Sequence, residues 1–137
     1  MRIMTDYIRL DSVGCTAIWE TRPDEAPLWR YWGPRLAEDA MPAGQLRDTR
    51  PEPSFSLHFD QPLSVFPGVG LGWFGQTALL AHRNGGDWAH AITSCAVEPV
   101  SNGVVFHLTD EIAALTISIR AVLDPETDVL TLSTSLR

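Results

Sequence analysis

Lysine is missing altogether. The ten basic residues of this 137-residue chain are all arginines, against 17 acidic residues, for a formal net charge of −7. An acidic chain repels the phosphates of nucleic acid, and no basic cluster overrides that field, so no nucleic-acid partner is expected. Long apolar runs are also lacking. The start, MRIMTDYIRLD, has no unbroken apolar stretch of the signal-peptide kind, and nothing approaches the length of a membrane span. The chain therefore reads as cytoplasmic, with no membrane partner. Cysteine is scarce. Cys15 and Cys95 could make one disulfide, but nothing else points to secretion, and they read as buried free thiols.

Catalytic signatures are lacking too. There is no Gly-x-Ser-x-Gly elbow and no nucleophile-base pair. Asp110 and Glu111 adjoin, but neighbours on a strand point to opposite faces and cannot act as a glycosidase pair. Asp24, Glu25, Glu38 and Asp39 fall in loops and read as solvated. His58, His82, His90 and His107 do not have metal-ligand spacing. His82, Asp87 and His90 straddle a turn and match no zinc signature. All four histidines read as structural, with His107 facing solvent opposite Phe106. No catalytic residue, metal site or cofactor site is expected from this chain alone.

What is present is an ordinary globular composition, 45% apolar and 20% charged, on a chain long enough for one domain with a real core. The second half alternates at period two. Leu115, Ile117, Ile119, Ala121 and Leu123 share one face, and Thr116, Ser118, Arg120 and Val122 the other, which predicts a strand. A turn follows at Asp124-Pro125-Glu126-Thr127-Asp128, and Val129 to Leu136 returns as a hairpin partner. Upstream, Val104, Phe106 and Leu108 alternate after a Ser101-Asn102-Gly103 turn. Trp88 to Val97 predicts another strand, between Asn84-Gly85-Gly86-Asp87 and Pro99. The first half is less regular. Arg2 to Leu10 and Cys15 to Glu20 read as strands joined at Asp11-Ser12-Val13-Gly14. Residues 21 to 54 read as loops, with room for a helical turn near Pro34 to Asp39, and Ser54 to Phe59 as a short strand. Many short strands between turns predict an antiparallel β-sandwich. Because the chain ends at a strong apolar strand, it reads as the first portion of something longer, with exposed strand edges open to another copy.

Two aromatic stretches stand out. LWRYWGPRL, residues 28 to 36, places Trp29, Tyr31 and Trp32 beside two arginines and a Gly-Pro pair. Such rings either stack on sugars or plug a gap in the fold. The second, GLGWFG at residues 70 to 75, fits G-x-G-x-x-G, with Gln76 to Arg83 as a candidate helix and Glu98 as a candidate ribose acid. Pro67 interrupts the strand that should precede it. Trp73 and Phe74 are bulky where a phosphate loop is lean, and no β-α-β alternation surrounds it. A turned, glycine-dependent loop is the plainer reading.

Taken in order, the strand-turn-strand opening, the Tyr31 to Leu36 run, Phe66-Pro67-Gly68-x-Gly70-x-Gly72, Ala78-Leu79 and the Leu123 to Leu132 hairpin resemble the N-terminal β-sandwich of family thirty-six α-galactosidases, the melibiases. The likeness runs from about Ile8 to the end. It implies that residues 1–137 are an N-terminal, supersandwich-like portion preceding a (β/α)-barrel. In the family that barrel carries two catalytic aspartates in a retaining mechanism that needs no cofactor. It also implies a galactoside-type carbohydrate as ligand, and inactivity for this chain alone. A free-standing carbohydrate-binding or assembly module of the same fold is the alternative. In the family the glycine loop commonly continues Gly-Asp-Phe/Tyr-Arg-x-Pro and reaches the sugar. Here the matching positions are Gly72, Trp73, Phe74, Gly75, Gln76 and Thr77. The Asp and Arg are missing, and Trp73 becomes the candidate substrate-binding residue. The aromatics of LWRYWGPRL then read as a plug, with Arg30 or Arg35 stacked or paired beside them.

Overall fold

Two four-stranded antiparallel sheets form the computed structural model, which describes residues 2–4, 7–40, 62–73 and 75–137. The first sheet runs β1 (Arg2–Met4), β2 (Tyr7–Asp11), β3 (Cys15–Arg22), β4 (Glu25–Pro34). The second runs β5 (Ser94–Val100), β6 (Gly103–Asp110), β7 (Leu115–Leu123), β8 (Leu130–Leu136). Among the described residues the helical content is one 3-10 turn, Val69–Leu71, and no helix is long and apolar enough to cross a membrane. The expected antiparallel β-sandwich is what forms.

The second sheet follows from its alternation. Ile117, Ile119, Ala121 and Leu123 of β7 are buried, while Thr116 and Arg120 are exposed. Val104, Phe106 and Leu108 of β6 join them, with Phe106 opposite Ile119. Asn102 turns the β5–β6 hairpin in the left-handed region, which a short amide side chain tolerates. β5 itself is displaced from the expected Trp88 to Val97. It starts at Ser94 and runs through Pro99, which pairs opposite Val104. An edge strand accepts proline because one row of its N–H groups faces away from the sheet.

The first sheet departs further. The expected single strand from Arg2 to Leu10 is two, β1 and β2, folded back with Met4 opposite Tyr7. Within the stretch expected to be loop lies the ten-residue β4, also an edge strand. Its pairing with β3 slips between Ile18 and Trp19, which face Tyr31 and Trp29, so Arg30 is an extra residue in a bulge. The helical turn expected near Pro34 to Asp39 is reduced to one hydrogen-bonded turn, in which Ala40 N–H donates to the Ala37 carbonyl at 3.1 Å. Residues 35–40 cross the sheet as a strap. The buried guanidinium of Arg9 donates to the carbonyls of Leu36, Ala37 and Ala40, and Thr16 Oγ1 accepts from Leu36 N–H. The expected strand from Ser54 to Phe59, with His58, lies outside the described residues, as does Phe74.

Both sheets supply the core: Ile8, Leu10, Ala17 and Trp19 from one, Val104, Phe106, Leu108 and the β7 row from the other. Trp19 meets Phe106 across the layers with ring centroids 5.8 Å apart. At one end the two sheets are clasped through their turns. Asp128 accepts from Ser12 Oγ at 2.5 Å and Gly14 N–H at 2.9 Å, and Val13 N–H donates to the Pro125 carbonyl. Cys15 and Cys95 are free thiols, half-buried rather than buried. Burial pushes the Cys95 thiol up to about 11.

Candidate functional site

The glycine-rich loop leaves the first sheet from an anchored start. Ser64 bridges to Leu28 of β4, and Phe66 is buried. The Val69–Leu71 turn then closes at Gly72, whose φ of 80° is one that a side chain rarely adopts. Gly70 lies against the backbone at residue 90. A Cβ there would sit 2.6 Å from the His90 carbonyl oxygen and 3.0 Å from that of Ala89. The glycine permits close approach to another stretch of this chain. No helix follows: residues 75–83 are irregular up to a tight hairpin with Arg83 opposite Gly86, and Asn84 and Gly85 both at positive φ. The dinucleotide reading of GLGWFG lacks the helix N-terminus it requires.

Trp73 is half-buried at the far end of this loop. Its indole N–H donates to the Gln76 carbonyl at 3.0 Å. The ring packs over Gly75, where a Cβ would lie 2.7 Å from Nε1. The loop thus uses the polar edge of the indole.

The histidines divide as their surroundings dictate. His82 accepts from Gly85 N–H inside the hairpin. His107 links β5, β6 and β7 through Glu98 at 2.9 Å and Ser118 at 3.2 Å. His90 is buried, with Nδ1 3.6 Å from the Asp110 carboxylate, and neither ring nitrogen has a hydrogen-bond partner among the described residues. Burial raises the Asp110 carboxyl, but N–H donors from Ala113, Ala91 and Ile112, with His90 beside them, outweigh it and hold the group below the usual range. Asp110 is a turn-fixing acceptor, and its neighbour Glu111 is exposed. Among the described residues no three His, Cys, Asp or Glu gather as a metal set. Asp24, Glu38 and Asp39 are exposed as expected, whereas Glu25 lies in β4 and pairs with Arg22 at 3.2 Å.

LWRYWGPRL divides its roles. Trp29 is the plug: it is half-buried against the core, with its ring centroid 4.7 Å from that of Trp19. Arg30 pairs with Glu20 at 2.6 Å and Arg35 donates to the Ser12 carbonyl, so both arginines are paired. Trp32, however, is 48% exposed. Together Trp29, Arg30, Tyr31 and Trp32 line an open groove of about 520 Å³, completed by Leu63 and by Leu130 of β8. Trp73 is not among its walls. The sequence marks the four β4 residues, but Leu63 and Leu130 come from distant positions and carry no local signal.

The family profile of the glycosyl hydrolase family 36 N-terminal domain matches residues 25–137. An alpha-galactosidase of Escherichia coli is 28% identical over 123 residues, covering 90% of this chain and 17% of that protein. The chain thus spans less than a fifth of the length of this curated relative. No solved structure matches.

Proposed function

The chain belongs to the glycosyl hydrolase family 36 N-terminal domains, and from that premise we propose that it is the non-catalytic N-terminal portion of an α-galactosidase-like enzyme. In this reading it packs on the catalytic barrel of a parent chain and offers the ring face of Trp73 to a galactoside. The observation that carries it is the match through residues 25–137, which includes the glycine loop. The loop's internal bonding supports the role given to Trp73. An indole whose N–H is satisfied by Gln76 can stack on the C–H face of a pyranose without leaving a polar atom unpaired. Stacking alone reads hydroxyls poorly, so replacing the family's Asp and Arg with Trp73 and Gly75 should relax substrate discrimination. The reading takes the protein as cytoplasmic, and leaves the outer edge of β8, which is unpaired among the described residues, open to another copy.

The test is α-galactosidase assay of the chain alone and joined to its parent catalytic domain. The chain alone should be inactive. In the joined enzyme, Trp73→Ala should raise KM by about tenfold, with circular dichroism and denaturation midpoint unchanged. A Trp73→Ala variant that keeps full activity would remove the residue from the site. One that unfolds would assign it to structure.

A further inference from the structure

We infer that the groove on β4 is a carbohydrate-binding surface for a neutral pyranose-containing oligosaccharide, separate from Trp73. This goes beyond the reading above, because it concerns the isolated chain and needs no catalytic barrel.

Three features of the groove select the ligand. The first is the state of the backbone. An edge strand beside an apolar groove usually invites another strand, but here the edge is already paired at the Pro27–Trp29 end of the groove. Trp29 N–H donates to the Leu63 carbonyl at 2.8 Å, and Val65 N–H to that of Pro27 at 2.9 Å. Leu63 is itself a wall, so the segment that forms the groove occupies the position an added strand would take. What the groove offers is ring surface.

The second feature is charge. Among the described residues Arg30 is the one charged residue of the lining, and its side chain is only 9% exposed. Nε and Nη2 are held by the Glu20 carboxylate at 2.7 and 2.6 Å, which neutralises it. An anionic ligand would compete with Glu20, and a second copy would bring its own net charge of −7. A neutral ligand meets neither obstacle.

The third feature is the polar remainder. Among the described residues nothing accepts from Arg30 Nη1, which leaves a donor. Tyr31 Oη donates to the Pro34 carbonyl at 2.8 Å, which leaves its oxygen as an acceptor. A few fixed polar atoms among aromatic rings, in a groove of about 520 Å³, suit the alternating C–H and O–H faces of a pyranose. The half-exposed Trp32 is the stacking residue, and Trp29, held by Trp19, is the rigid floor.

The experiment titrates the purified chain with melibiose, cellobiose and maltotriose, watching the indole N–H signals of its five tryptophans by NMR. Saturable shifts at Trp29 and Trp32, with those of Trp73 and Trp88 unmoved, and a dissociation constant near 1 mM for at least one sugar, are the expected result. Trp32→Ala should weaken binding about tenfold, Trp32→Phe should restore part of it, and Trp73→Ala should leave it unchanged. The absence of saturable shifts in the folded wild-type protein with all three sugars overturns the proposal. So does binding that survives Trp32→Ala, or shifts confined to Trp73, which would support the loop reading instead. Concentration-dependent dimerisation that Trp32→Ala abolishes would assign the groove to a second copy and also overturn it.

Discussion

Arg30 is a charged residue nearly enclosed by its own sheet, and it is stable there because of Glu20. The Glu20 carboxylate is 9% exposed and takes Arg30 on one oxygen and Arg22 on the other. Burial raises its pKa, but hydrogen bonds and charge from Arg30, then Arg22, outweigh that and hold it below the ordinary glutamate range. The two arginines are not equal partners. Arg22 is 46% exposed and keeps Glu25 if Glu20 is lost, while Arg30 has its pairing with Glu20 at 9% exposure. Removing one member of an enclosed pair leaves the other charge desolvated. Glu20→Ala should therefore lower stability by about 3 kcal/mol in urea denaturation. Glu20→Leu combined with Arg30→Met should recover most of that loss, since an apolar pair of similar volume carries no desolvation cost. A loss below about 0.5 kcal/mol would mean the pair behaves as a solvated surface bridge.

The turns between strands hold a second, separable source of stability. β6 and β7 are joined through Glu111 to Ala114, and Ala114 adopts φ 48° while exposed to solvent. An alanine Cβ is disfavoured there, and glycine is not. Ala114→Gly should raise the denaturation midpoint, by an amount equal to about 1 kcal/mol less the backbone entropy that glycine loses on folding. A lowered midpoint would show that the entropy term dominates. The same contrast between local and non-local causes decides which elements the sequence reveals. β7 is legible because each of its residues obeys one period and one core face. β4 is not, because the bulge at Arg30 shifts its phase halfway, and Pro27 and Pro34 look like strand breakers until the strand is known to lie at an edge. Ala26, Pro27 and Leu28 are buried in succession, which no period-two pattern predicts. For the same reason LWRYWGPRL could be flagged for its rings, while the groove it lines could not. A groove needs Leu63 and Leu130, and their proximity is a property of sheet packing. Trp73 was legible as an unusual residue, yet its bonding to Gln76 depends on the turn at Gly72.

Across the whole molecule, the sandwich is tied by carboxylates as well as by its core, and these ties respond to pH in one direction. Asp11 is raised by burial but lowered more by Arg9 and Thr16, and Asp128 is lowered by Ser12 Oγ and Gly14 N–H. Glu20 and Asp110 are lowered as well. A carboxyl with a depressed folded pKa binds its proton more readily when unfolded. Its contribution is complete above the unfolded value, about 4, and is lost as pH falls through the lower folded value. An opposite effect operates at higher pH. Lowering the pH toward the isoelectric point, near 4.9, relieves the self-repulsion of a chain with net charge −7. That repulsion is diffuse and screened over about 8 Å at physiological ionic strength, whereas the carboxylate bonds are short and direct. The urea midpoint should therefore stay level or rise slightly from pH 7 to about 5.5, then fall steeply below about 4.5. Added salt should flatten the first portion and leave the second in place. Asp128→Asn tests the clasp between the sheets: the amide oxygen can still accept, so the variant should stay folded at neutral pH and lose part of the acid-side slope. A midpoint unchanged down to pH 3 would mean that the core alone, centred on Trp19 and Phe106, holds the two sheets together.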